Sequence, residues 1–171
     1  DLMPTSDSAI DIGSNTVRFQ NIYADTLYGD GSNLTGIATG VSSDSYKNTV
    51  GGTNAGDSFS GTNANNNTLF GYDAGTAITT GGQNVAIGRN ALLTATNANG
   101  NVAIGDEALY TNNTYCNTAI GYFAGRANTS GNYNTFIGSE SGDANTTASN
   151  NTAIGGYALS TNSTGAENTA L

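Results

Sequence analysis

The stretch Asn117-Thr118-Ala119-Ile120-Gly121-Tyr122-Phe123-Ala124-Gly125 decides the fold, because it is one member of a set. Variants begin at Asn67 (NTLFGYDAG), Asn84 (NVAIGRNAL), Asn101 (NVAIGDEAL), Asn134 (NTFIGSESG) and Asn151 (NTAIGGYAL), with a truncated NTAL at Asn168. Successive starts differ by 17, 17, 16, 17, 17 and 17 residues, and a weaker copy, NTVGGTNAG, starts at Asn48, 19 residues ahead of Asn67. That makes seven full copies and a stub. Repetition at a fixed short period marks a repeat architecture, in which each unit is too small to bury a core and gains stability by stacking on its neighbours.

Read by column, position one is Asn throughout (Asn67, Asn84, Asn101, Asn117, Asn134, Asn151) and position two is Thr or Val. Position four is Ile in five copies (Ile87, Ile104, Ile120, Ile137, Ile154), and position five is Gly (Gly71, Gly88, Gly105, Gly121, Gly138, Gly155). Alternation over positions two to five has the period of a β-strand and sets Thr/Val and Ile on one side, Ala and Gly on the other. The branched side is the expected core. The Ala/Gly side lets another backbone approach, since glycine has no side chain, and is the expected contact with a neighbouring chain. Positions six and seven run through unrelated residues, as side chains facing solvent do. The rest of each copy, such as TAITTGGQ or STNSTGAE, is polar and carries turn residues.

The predicted fold is therefore all-β: a β-solenoid or β-roll of about 17-residue repeats over residues 48–171, on the order of 34 Å long if each coil adds one strand spacing. The recurring Asn reads in two ways. It either stacks into a side-chain amide ladder along the axis or supplies a left-handed turn. With one Ile and one β-branched residue per coil the core is thin, so association into a parallel, intertwined homotrimer is expected to supply the missing burial. Residues 1–47 lack the repeat and read as a small β connector module, with a turn at Gly29-Asp30-Gly31 and apolar positions Ile12, Val17, Phe19, Ile22, Tyr23, Leu27, Leu34 and Ile37. The start at Asp1 and the partial copy at the end read as a piece of a longer protein.

Composition narrows the function. Charged residues make up 10% of the chain, with 13 acidic against 4 basic, no His and one Cys. A net charge of −9 argues against nucleic acid and anionic lipid as partners. No apolar run approaches the roughly 20 residues of a membrane helix, so no membrane insertion is expected. Without His, the usual acid/base, nucleophile and zinc constellations cannot be assembled. Asp106, Glu107, Glu140 and Asp143 are the candidate carboxylates for glycoside cleavage, but they sit mostly in the drifting columns and read better as solvating charge. The turns lack aspartate ladders for calcium, and Gly81-Gly82 has no Lys-Ser/Thr after it for phosphate. No enzyme, metal or cofactor is expected. Cys116 reads as a small hydrophobe, with intermolecular pairing as the alternative.

The segment DIGSNTVRFQNIYADTLYGDGSNLTGI, residues 11–37, resembles segments of tail-fibre and other virion structural proteins of marine and cyanobacterial phages. The N-[TV]-A-I-G-x-x-A-[LG] copies are similar both to shaft repeats of phage tail fibres and to the β-roll heads of trimeric autotransporter adhesins, whose repeat is shorter. Those resemblances imply a parallel homotrimer on a virion or cell surface. The expected function is a structural fibre segment that projects a receptor-binding tip for host attachment, with neighbouring fibre proteins and host surface glycans as partners. An adhesin head is the alternative, and an ice-binding solenoid using the Thr column a more distant one. For surface contact the candidates are Tyr72, Arg89, Tyr122, Phe123 and Tyr157, the aromatic ones offering ring faces for sugar stacking.

Overall fold

The computed structural model describes residues 41–60 and 63–171, and among these there is no helix. The expected connector module therefore lies outside the described residues, except for its last seven. The fold is a β-solenoid of about seven turns. Its strands are β1 (Val41–Ser43), β2 (Thr49–Gly51), β3 (Thr68–Phe70), β4 (Val85–Ile87), β5 (Val102–Ile104), β6 (Thr118–Ile120), β7 (Thr135–Ile137), β8 (Thr152–Ile154) and β9 (Thr169–Ala170). They form one sheet in sequence order. From β2 onward every pairing is parallel and in register by column, so Thr118 faces Thr135, Ala119 faces Phe136 and Ile120 faces Ile137. The 16-residue coil keeps this register, Val102 facing Thr118, so its missing residue is absorbed in the half-coil. β1 runs antiparallel to β2 and covers the edge that β2 would otherwise leave open.

The strand's two faces are the reverse of the sequence expectation. Position three points inward: Leu69, Ala86, Ala103, Ala119, Phe136 and Ala153 are buried. Ile87, Ile120 and Ile154 are 39%, 37% and 41% exposed, and the Thr/Val column is only half-buried. The physical reason is room. A coil of this length closes on an interior too narrow for a branched side chain from every rung plus the leucines that enter from the turns, so the small column lines the inside.

Core volume is instead shared between columns three and nine. Where column nine is leucine (Leu92, Leu109), column three is alanine (Ala86, Ala103), and all four are fully buried. Where column nine is Gly75, the space is taken by Leu69 and Ile78, whose methyl carbons stand 2.9 Å from where a Gly75 Cβ would be. Phe136 serves two coils. A Cβ on Gly142 would overlap one edge of its ring at Cδ1, and one on Gly125 would meet the other edge at Cδ2, 2.6 Å away. Column nine is left-handed in every coil, with φ of 58° at Gly75 and Gly125 and of 55°, 49° and 51° at Leu92, Leu109 and Leu159. Leucine accepts that unfavourable backbone because it fills the core.

The column-five glycines are close-approach positions, but the approaching backbone belongs to the next coil of the same chain. A Cβ on Gly121 would overlap the Gly138 carbonyl, and its φ is 144°. This is a second correction to the expected chain-to-chain role of the Ala/Gly face.

The asparagines form the ladder. Asn67, Asn84, Asn101, Asn117, Asn134 and Asn151 are buried. Each backbone N–H donates to the Oδ1 of the preceding rung at 2.9–3.0 Å. The side-chain Nδ2 of Asn67, Asn84, Asn101, Asn117 and Asn134 donates across the coil to the carbonyls of Gly81, Ala98, Thr114, Gly131 and Ala148 at 2.8–3.0 Å. The ladder thus closes each coil as well as joining coils. The left-handed residue is the one just before it: Asn66, Gln83, Cys116, Tyr133, Asn150 and Glu167 have φ of 56–61°, and Gly100 has 66°. A second, shorter ladder runs through Asn112, Asn128 and Asn145, with Nδ2 to Oδ1 distances of 2.7 and 2.8 Å.

Asp44 begins the first ladder in place of an asparagine. Its Oδ1 accepts from the Asn48 backbone N–H at 2.9 Å and its Oδ2 from the Asn48 Nδ2 at 2.8 Å. Desolvation, the largest single influence, pushes the Asp44 carboxyl up, but the Asn48 side chain and the backbone N–H donors together outweigh it and hold the group below its ordinary 3.8.

Candidate functional site

Two surfaces remain after the core is assigned. The first is the outer strand face. In-register pairing sets Phe70, Ile87, Ile104, Ile120, Ile137 and Ile154 in one row along the axis, beside a row of Thr68, Val85, Val102, Thr118, Thr135 and Thr152. Neither row has a covering element among the described residues of the single chain. A contiguous apolar stripe of this length is unusual on an unassociated surface.

The second surface is the corner that follows the column-five glycines, where the five candidate contact residues fall. Tyr72, Arg89, Tyr122 and Tyr157 are exposed and Phe123 is half-buried. Position six is exposed in most coils, as expected. Position seven is not free: Asp73, Asn90, Glu107, Phe123, Glu140 and Tyr157 all adopt φ of 53–61°, and only Tyr157 of these is a large exposed ring. Asp or Asn suits that backbone, whereas an aromatic ring there works against it.

The structure brings several of these residues together. Tyr122 and Phe123 stack with ring centroids 3.8 Å apart and planes 19° from parallel. The Arg126 guanidinium lies 4.7 Å from the Phe123 centroid and 5.6 Å from that of Tyr110. Its Nε donates to Glu107 at 2.6 Å, and Glu107 also meets Arg89 at 3.4 Å, while Arg89 donates to Asp106 at 2.8 Å. The result is a chain Asp106, Arg89, Glu107, Arg126 ending on the aromatic stack. Tyr72 and Tyr157 stand apart from it on the same corner.

The four candidate carboxylates do not share one environment. Asp106 and Glu107 are held by the arginines. Asp143 is partly buried, which pushes its carboxyl up, and the Glu140 charge adds to this. Glu140 in turn raises the Tyr157 hydroxyl through a hydrogen bond and its charge. Among the described residues no three His, Cys, Asp or Glu side chains are grouped as a metal site would need. Cys116 is exposed, contrary to the expectation of a small buried hydrophobe, because it occupies the left-handed turn ahead of the ladder.

Sequence reasoning singled out the aromatics and arginines one by one and missed Arg126 and Tyr110. The missing signal was coil register: Arg126 reaches Glu107 across 19 residues, a separation that becomes a contact only once the chain is written coil over coil. No protein-family model matches this chain, and neither a curated protein nor a solved structure matches it.

Proposed function

We propose that this chain is a shaft segment of an extracellular fibre of the phage tail-fibre kind, a parallel homotrimer that projects a receptor-binding tip toward a host surface. The outer isoleucine row carries this reading. It is in register over six coils and uncovered by the described residues of the single chain, and parallel rods meeting about a common axis bury such a row continuously. The interface therefore moves from the Ala/Gly side, which lies inside or within the chain, to the Ile side. A rigid hydrogen-bonded rod, the two resemblances at sequence level and an acidic chain with few cations all fit a spacer outside the cell. Its mechanism is mechanical: distance and stiffness.

Light scattering on the purified chain tests it. A mass three times 17.2 kDa is expected for the parent. Ile120→Asp combined with Ile137→Asp, on the outer face, is expected to yield lower-mass species. A folded parent monomer at micromolar concentration would overturn the proposal. The outward Thr column favours one second reading, ice binding, although Val85 and Val102 interrupt it. Thermal hysteresis in a monomeric parent would select that reading. An adhesin head shares the trimer and is separated by what the full gene encodes beyond this chain.

A further inference from the structure

We propose that the corner tyrosines, Tyr72 and Tyr122 in one row and Tyr157 in the column beside it, centred on the Tyr122–Phe123 stack, bind a linear uncharged polysaccharide lying along the rod axis. The site is built within one chain, so it does not depend on the trimer.

The aromatic placement is not explained by folding. Phe123 and Tyr157 occupy left-handed positions with φ of 56° and 61°, where Asp73 and Asn90 serve the same turn with less strain. Leucines that accept a left-handed backbone in column nine fill the core, but these two rings lie outside it. Phe123 is clamped between Tyr122 and Arg126, and Arg126 is fixed by Glu107 at 2.6 Å. The Tyr122 ring is thereby held against Phe123 while it stays 47% exposed. A flat, immobilised aromatic face loses little freedom on binding and suits the C–H face of a pyranose ring.

Charge selects the ligand class. Both arginines of the corner are engaged with Asp106 and Glu107, and Glu140 and Asp143 add negative charge further along. A polyanion would meet carboxylates and arginines already paired. Sugar hydroxyls would meet carboxylate acceptors instead. Spacing selects a linear chain. Tyr122 lies three coils beyond Tyr72 in the same column, and Tyr157 lies two coils further on in the column beside it, next to Gly156. At about 4.8 Å per coil Tyr72 and Tyr122 stand roughly 14 Å apart along the axis, a distance that a run of several linked sugar rings spans.

The probes are laminarin, dextran and a galactomannan as uncharged glycans and alginate as the polyanion, in affinity electrophoresis of the whole chain. Retardation by at least one uncharged glycan and none by alginate is expected. Tyr122→Ala should weaken the apparent Kd about tenfold, and Tyr157→Ala should weaken it too. Tyr133→Ala, an exposed tyrosine ahead of the strand and away from this row, should not. Thermal melts and light-scattering masses equal to the parent separate lost binding from lost folding or lost assembly. No retardation by any of the three uncharged glycans up to their solubility, retardation by alginate alone, or equal losses for Tyr122→Ala and Tyr133→Ala would each overturn the proposal.

Discussion

Replacing Phe136 with alanine removes the one large side chain that fills two coils at once. Its ring occupies the space beside Gly125 and Gly142, neither of which carries a side chain to fill the cavity. A loss of about 3–5 kcal/mol is expected, as for other buried Phe→Ala changes. Gly142→Leu alone drives a side chain into the same ring, and overpacking of this kind costs about 1–3 kcal/mol. Independent effects would sum to about 4–8 kcal/mol. The variant carrying both changes should lose far less than that sum. Alanine in column three with leucine in column nine recreates the pairing that Ala86 with Leu92 and Ala103 with Leu109 already show, on the same left-handed backbone (φ 59° at Gly142 against 55° and 49°). Its residual loss should be about 2 kcal/mol, from the strained leucine and the part of the cavity beside Gly125. Guanidinium unfolding followed by far-UV circular dichroism, at one fixed chain concentration so that association does not shift the midpoint, measures all three. If Phe136→Ala loses less than about 1 kcal/mol, or if the double variant is no more stable than Phe136→Ala alone, the shared-column account of the core is wrong.

Asn117→Ala deletes the Oδ1 that accepts from Asn134 and the Nδ2 that closes the coil on Gly131. With buried partners left unpaired at about 1–3 kcal/mol each, a loss of roughly 3 kcal/mol or more is expected in the same unfolding assay, against less than about 0.5 kcal/mol for exposed Ser130→Ala. The first coil should also be acid-sensitive. The Asp44 carboxyl is held below 3.8 when folded, so its contribution is complete above that value and fades as pH falls through the lower folded value. Amide exchange at Asn48 should accelerate below about pH 3.8 in the parent, and in Asp44→Ala it should be fast already at neutral pH. Equal protection in the two proteins at neutral pH would show that Asp44 does not hold the first rung.

Much of this fold was legible in the sequence, and the reasons for the rest are specific. Column identity revealed the coil length, the strand, the close-approach glycines and one of the two roles open to Asn117 and its equivalents. It could not reveal which strand face points inward, because a period of two is symmetric and a preference for burying the larger residues chose Ile120 over Ala119. The true core escaped notice because its large members come from different columns: Leu92 and Leu109 from the turn, Leu69 and Phe136 from the strand, Ile78 from the half-coil. The Asn112, Asn128, Asn145 ladder was hidden because its column begins with Phe59, Ile78 and Ala95, which share no chemistry with asparagine. At the corner, Tyr122 and Phe123 were visible as rings, but their clamp depends on Arg126 and on the coil that carries Glu107.

The asparagine ladder has a direction. Every rung lends its side-chain oxygen to the rung after it, and Asp44 lends without needing a predecessor in the series. A coil arriving next finds an acceptor already in place, whereas a coil forming alone offers one and finds none. Winding that starts at Asp44 and proceeds toward Asn151 therefore meets a prepared docking edge at each step, in the same order in which a ribosome releases the chain. A fibre of this kind can be wound as it is made, and its length is set by how many times that one step is repeated.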